Sequence, residues 1–189
     1  MKNFFELDFK KYDFKKAIDE LTNAGKVFWR QNQICLNAPL GREEDASYGV
    51  GSLEIDFENS TKEIDFEGNE KIIAPLKENP HKEEDFDTLC TVFQNTVFEE
   101  ALNELKTKYN IGRTRLMNMQ TRYAMSWHYD YHDRIHYPIK TQDGCLMVIG
   151  DEVKHLEQDT WYWTKTSEYH TAVNGSTENR IHLVACIIN

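Results

Sequence analysis

Three side chains of this 189-residue chain have the types and spacing to hold a metal ion. His128 and Asp130 stand two apart in W-H-Y-D-Y-H-D-R-I-H-Y-P, Trp127 to Pro138, so on an extended strand both leave the same face and can reach one ion. His170, in E-Y-H-T-A-V-N-G-S-T-E-N-R-I-H-L-V from Glu168 to Val184, supplies a third ligand from further along the chain. Two imidazoles and one carboxylate on a single face leave the opposite coordination positions open, which is the facial arrangement suited to non-heme Fe(II). Ten residues after His170, Arg180 opens an apolar run, Ile181 to Ile188, that reads as a buried strand. Its guanidinium fork suits a bidentate carboxylate.

H-x-D, a distant His and an Arg about ten residues later form a pattern that resembles the Fe(II)/2-oxoglutarate-dependent dioxygenases. R-I-H-Y-P-I (Arg134 to Ile139), H-T-A-V-N (His170 to Asn174) and R-I-H-L-V (Arg180 to Val184) narrow the resemblance to the aspartyl/asparaginyl β-hydroxylase branch, which includes free-proline hydroxylases. It covers residues 110 to 189. The resemblance implies Fe(II) on His128, Asp130 and His170, and 2-oxoglutarate as a co-substrate held by Arg180 and His136. It also implies O2 as oxidant, succinate as co-product and hydroxylation of a C–H bond. In peptide-hydroxylating members the Arg of R-x-H approaches the substrate carboxylate, which makes Arg134 a substrate-binding candidate; a rim salt bridge with Asp133 or Asp151 is the competing reading. His182 shares a strand face with Arg180 and is expected just behind it.

One departure bears on the substrate. The vertebrate-type peptidyl aspartyl hydroxylases lack the acidic ligand, whereas Asp130 is present here, and only Tyr131, His132 and Asp133 separate it from Arg134. Both points favour a small amino-acid-like substrate, with a protein substrate as the alternative. Among the other histidines, His81 and His155 read as ordinary structural imidazoles. His132, four residues after His128, would complete a helical H-x-x-x-H zinc pair, but the local sequence favours extended structure or a turn. A zinc hydrolase would need a general base, for which Asp133 or Glu168 is available. A non-oxidative metal-binding jelly-roll module would have no reason to keep His128, Asp130, His170 and Arg180 together.

Positioning these residues falls to the rest of the chain. Asp13 can cap a helix whose stripe is Phe14, Ala17, Ile18 and Leu21 and which ends at Gly25. A second helical region is expected between Asp85 and Tyr109, with Phe86, Leu89, Cys90, Phe93, Val97, Ala101, Leu102 and Leu105 at helical spacing. E-I-D-F-E recurs at Glu54 to Glu58 and at Glu63 to Glu67, as two facing hairpin strands would give, and its acids offer a docking surface to a basic partner. Gly68 to Glu84 reads as an irregular connection. Strands are expected at Leu116 to Tyr123, Ile135 to Ile139, Cys145 to Ile149, Thr160 to Thr164 and Ile181 to Ile188, with Trp161 and Trp163 on one face and Tyr162 on the other.

Helices followed by strands with short turns point to an α+β, mainly β domain built on a jelly roll. The resemblance implies the cupin-like double-stranded β-helix. The reading is one domain over 1–189, with 1–109 supporting and extending the sheet and 110–189 forming the core. The formal charge of −10, without a basic run, argues against nucleic acid or an anionic membrane as partner. Four scattered cysteines, an N-terminus without an apolar signal segment and no membrane-length apolar run make the cytoplasm the expected location.

Overall fold

Along the central strands, side chains alternate between a charged face and an apolar one, and that alternation organises the fold. The computed structural model describes residues 2–56 and 59–188. Its helices are α1 (Phe14–Asn23) and α2 (Val97–Lys106). Its strands before residue 110 are β1 (Phe4–Leu7), β2 (Gln33–Cys35), β3 (Asn37–Ala38), β4 (Thr61–Ile64), β5 (Glu70–Ile73) and β6 (Thr88–Leu89). After it come β7 (Ile111–Met119), β8 (Tyr123–Ala124), β9 (Arg134–Lys140), β10 (Cys145–Ile149), β11 (Glu152–Lys154), β12 (Trp161–Thr164), β13 (His170–Asn174) and β14 (Arg180–Ile187).

Among the described residues, two larger antiparallel sheets, a six-stranded one in the order β1-β12-β9-β14-β7-β2 and a four-stranded one in the order β11-β10-β13-β8, are accompanied by the two-stranded ribbons β3-β6 and β4-β5. From β7 onward the chain passes back and forth between the two larger sheets, which is the double-stranded β-helix. β1 and β2, from the N-terminal half, become the two edges of the larger sheet. Ile135, Tyr137, Leu116, Leu183 and Ala185 turn one face of that sheet toward Phe14, Ile18 and Leu21 of α1 and Phe98, Leu102 and Leu105 of α2, forming the main core. The opposite residues of the same strands, Arg113 and Arg115, Arg134 and His136, Arg180 and His182, point between the sheets and are all buried. Phe4, Met147, Ile149, Leu156 and Tyr162 form a smaller second core. Trp161 and Trp163 pack on the helix side and Tyr162 on the other, as alternation requires.

The first helix forms where its stripe places it: the Asp13 carboxylate accepts from Lys16 N at 3.1 Å, and Gly25 follows the end at φ 66°. The expected helix from Asp85 is largely corrected. Only Val97–Lys106 is α-helical, because Cys90 N donates to Leu36 O and Thr91 N to Glu43 O, drawing that backbone into loop and strand pairings. Asn95 at φ 59° then breaks the chain, Thr96 Oγ1 caps Phe98 N, and Glu99 accepts from Asn95 N at 2.6 Å.

The acidic hairpin is corrected too: Thr61–Ile64 pairs with Glu70–Ile73, inside the stretch read as irregular, not with the first E-I-D-F-E. Asp65, accepting from Glu67 N and Asn69 N, and Gly68 at φ 87° make a tight turn that brings the nearer segment back first. The first copy runs instead beside Pro75 to Lys77, and its Phe57 and Glu58 lie outside the described residues. The strand expected from Leu116 to Tyr123 begins earlier, at Ile111, and is divided at Arg122, whose φ is 53°.

Candidate metal and carboxylate site

Beyond β8 the chain stays extended beside β13, with His128 N donating to His170 O and His170 N to His128 O. This exchange sets the two imidazoles side by side, ring centres 4.3 Å apart. Asp130 N donates to Thr166 O one step further, turning the carboxylate onto the same face. One ligand atom from each of His128, Asp130 and His170 lies within 4.8 Å of the others, and Asp130 Oδ2 is 3.8 Å from His170 Nε2. Among the described residues no other set of three such side chains meets this way.

Both rings are oriented by backbone. Nδ1 of His128 lies 2.7 Å from Ser126 O and Nδ1 of His170 lies 3.0 Å from Glu168 O. A carbonyl only accepts, so Nδ1 carries the proton in each ring and the Nε2 lone pair is left for a metal. Burial holds His170 below the ordinary imidazole range although Glu168 O and Asp130 pull the other way. Burial would raise Asp130, but Arg134 and the two imidazoles outweigh it and hold the carboxyl low. Neutral imidazole and ionised carboxylate are the metal-binding forms.

A chain of ion pairs fixes the acid. Arg134 Nε donates to Asp130 Oδ2 at 3.1 Å and Arg134 Nη2 to Glu83 Oε1 at 3.0 Å. Arg113 grips both Glu83 oxygens through Nε at 2.9 Å and Nη2 at 2.8 Å, while its Nη1 donates to Gly49 O and Gly51 O. Burial pushes the Glu83 carboxyl up, but Arg134 and Arg113 bring it down to about 2. Asn37 clips this loop to β7, donating to Phe86 O and Gly112 O and accepting from Thr114 N. Arg134 is therefore a buried residue whose partners are Asp130 and Glu83, and only its Nη1 has no partner. Asp133 instead caps Ser167 N, and Glu168 pairs with Lys165.

The same cavity, about 1070 Å³, is lined by the triad and by Arg134, His136 and Arg180. Arg180 is 4% exposed and its guanidinium makes no hydrogen bond or ion pair with a described residue; its Nε is buried without a partner. Burial lowers it to about 10, which leaves it charged at neutral pH. His136 Nδ1 lies 3.4 Å from His182 Nδ1, both rings buried and, chiefly through that burial, held well below the usual range. His132 sits on a bend, outside any helix and outside the triad. Of the aromatics around the motifs, Tyr137, Trp161 and Tyr162 are core, while Trp127, Tyr129, Tyr131 and Tyr169 are exposed, with Tyr129 packed edge-on to Tyr131 and Tyr169.

Residues 60–189 match the family described as aspartyl/asparaginyl beta-hydroxylase. The chain belongs to that family. The His128, Asp130 and His170 set lies inside the matched stretch. No curated protein matches the sequence. Solved structures similar in strand arrangement include AerE from Microcystis aeruginosa (16% identity, TM-score 0.36, 41% of this chain and 36% of that one). Another is a cupin domain from Bordetella pertussis (15%, 0.36, 41% and 81%). A third is the viral collagen prolyl hydroxylase of Paramecium Bursaria Chlorella virus-1 in complex with 2OG (12%, 0.45, 98% and 95%). The matched part spans little more than a third of AerE. None of these likenesses is close enough to carry a substrate to this β-hydroxylase relative.

Glu83, Arg113, Arg115 and Gln33 line the same cavity although none belongs to the motifs that mark the triad and Arg180. The signal for two of them is present in R-T-R, Arg113 to Arg115, where charges alternate inside a strand otherwise buried on both faces. Glu83 sits in a run of acids, and nothing in the run distinguishes it.

Proposed function

We propose that the protein is an Fe(II)- and 2-oxoglutarate-dependent dioxygenase that hydroxylates a C–H bond of a small amino-acid-like substrate. One observation carries the reading: a three-ligand set and an unpaired, buried guanidinium, Arg180, face one cavity. Both requirements of the co-substrate pair are met by that donor chemistry, an open-faced metal seat and a cation for a carboxylate. Bound iron, with 2-oxoglutarate and O2, supplies hydroxylation coupled to decarboxylation of 2-oxoglutarate to succinate.

The chain's own residues do the rest. His128, Asp130 and His170 would hold the ion, with Ser126 O and Glu168 O fixing the rings and Arg134 fixing the acid. Arg180 would take the far carboxylate of 2-oxoglutarate, with His136, which stands opposite Val184 on the neighbouring strand, as a neutral donor. Arg180, His136 and His182 are all buried between the sheets, where each charge contact is stronger than in water. Arg134 keeps Nη1 free toward a substrate while serving Asp130.

A protein substrate is the second reading, favoured by the size of the cavity and by its exposed acidic rim at Glu54, Glu78 and Glu84. The test is anaerobic loading with Fe(II) and 2-oxoglutarate, then admission of O2 with free amino acids or peptides while succinate is measured. Expected are iron-dependent succinate release in the wild type, its loss in His170→Ala, and stimulation by a free amino acid. Equal succinate release in His170→Ala would overturn the oxygenase reading; stimulation by intact proteins alone would overturn the small substrate.

A further inference from the structure

A second buried guanidinium faces the cavity without a carboxylate. Arg115 follows Arg113 on the inward face of β7 and is 8% exposed. Arg113 is fully engaged by Glu83, Gly49 and Gly51. Arg115 has only neutral partners: its Nη1 donates to Gln33 Oε1 at 2.9 Å and to Gly51 O at 3.4 Å, and its Nε is buried with no partner. Gln33 Oε1 also accepts from Gly51 N at 3.1 Å, so strand β2 and the Gly51 turn hold the guanidinium in place. Burial first, then repulsion from Arg113 and Arg134, push it below the ordinary guanidinium range. Four guanidiniums line this cavity, Arg113, Arg115, Arg134 and Arg180, yet the ion pairs among the described residues give carboxylates only to Arg113 and Arg134. A buried cation without a counter-charge is costly unless an anion completes it.

Strand register separates the two unpaired cations. Arg180 stands opposite Met119 and Arg115 opposite Val184, which in turn stands opposite His136. Four residues of strand set their backbone positions roughly 13 Å apart along the sheet, so the two guanidiniums rise from different rungs. Arg115 lies on the rung next to Arg134 and so at the triad's end of the cavity, whereas Arg180 lies at the other. The exposed rim acids Glu54, Glu78 and Glu84 would repel a polyanion, which leaves a single carboxylate as the fitting ligand.

We propose that Arg115, held by Gln33, is the seat for the carboxylate of the substrate, a small molecule with a free α-carboxylate. The proposal rests on the oxygenase reading only for the word substrate; the binding site stands on the geometry. It makes the cavity a two-carboxylate vessel, with the co-substrate on Arg180 and the molecule to be oxidised on Arg115.

The test titrates the full chain calorimetrically with each free L-amino acid and with its carboxamide, with and without anaerobic Fe(II) and 2-oxoglutarate. Expected is at least one amino acid whose carboxamide binds the wild type about thirtyfold more weakly or worse, a comparison that needs no variant. Arg115→Gln should weaken the acid by a similar factor, Arg115→Lys should restore part of it, and neither should change the affinity for 2-oxoglutarate. Arg180→Gln should do the reverse. The proposal is overturned if no free amino acid binds, if acid and carboxamide bind equally, or if Arg115→Gln leaves the acid's Kd unchanged. It also fails if Arg115→Gln weakens 2-oxoglutarate as Arg180→Gln does. Arg115-dependent amino-acid binding in a protein that takes up no 2-oxoglutarate would sink the oxygenase reading and leave this site standing.

Discussion

At the scale of single residues, the site depends on a relay of charge that begins outside the ligand set. Arg134 touches Asp130 and Glu83 at once, so its removal frees the ligand carboxylate to turn and leaves Glu83 with one cation. Loss of an orienting partner typically weakens metal binding about 10- to 100-fold, and Arg134→Gln should show a loss of that size in calorimetric titration with Mn(II). An unchanged metal affinity would mean that Asp130 is held by its backbone alone. Glu83 gives a stability prediction with a defined sign. Its carboxyl titrates at about 2 in the folded protein instead of at 4.5, so its contribution is complete above about pH 4.5 and disappears as the pH falls toward 2. That contribution is about 3 kcal/mol at neutral pH. Glu83→Gln should therefore lower stability by a few kcal/mol at pH 7 and flatten the acid side of the stability curve, read by urea unfolding at successive pH values. A parallel downward displacement of the whole curve would contradict the assignment.

Elements set these residues in place, and one backbone approach is critical. A Cβ on Gly112 would stand 2.5 Å from the carbonyl oxygen of Glu83 and 2.7 Å from the Ile188 side chain. Gly112→Ala should push the 83–86 loop away from β7, costing about 1 to 3 kcal/mol and weakening metal binding through Glu83 and Arg134. Thr96→Ala, which removes the α2 cap, should cost about 1 kcal/mol without touching metal affinity. Thermal unfolding alongside metal titration separates the two variants, and equal metal affinity in both would break the link from loop to ligand. The same elements explain what could be read in advance. Strands β9, β10, β12 and β14 announce themselves because one face is apolar and the turns between them are short. His128, Asp130, His170 and Arg180 fall together because strand alternation and motif order both fix them. The residues from Asp85 to Asn95 have helical spacing, but their backbone amides are taken by Leu36 and Glu43, partners that no local pattern reveals. Arg115 and Glu83 are illegible in the sequence for a related reason: their meaning comes from what does or does not stand across a cavity.

Across the whole molecule, the family match begins at residue 60, yet the larger sheet takes both of its edges from before that point. A fragment of residues 60–189 would uncover the open sides of β12 and β7 and the apolar face that α1 covers, and it should aggregate. Size-exclusion chromatography of that fragment checks this; a soluble, metal-binding monomer would show that the early strands are dispensable. The closure of β1 on β12 has a kinetic side as well. Phe4 pairs with Thr164 and Leu7 with Trp161, and Asn3 reaches Ile149 O and Glu152, so β1 is synthesised long before the strand it pairs with. Contacts that span most of a chain slow folding, because a very large loop must close before they reward it. During synthesis the β1 segment, with Phe4 and Phe5, waits unpaired until β12 has emerged, and in that interval it is an adhesive strand that a chaperone or another nascent copy can capture.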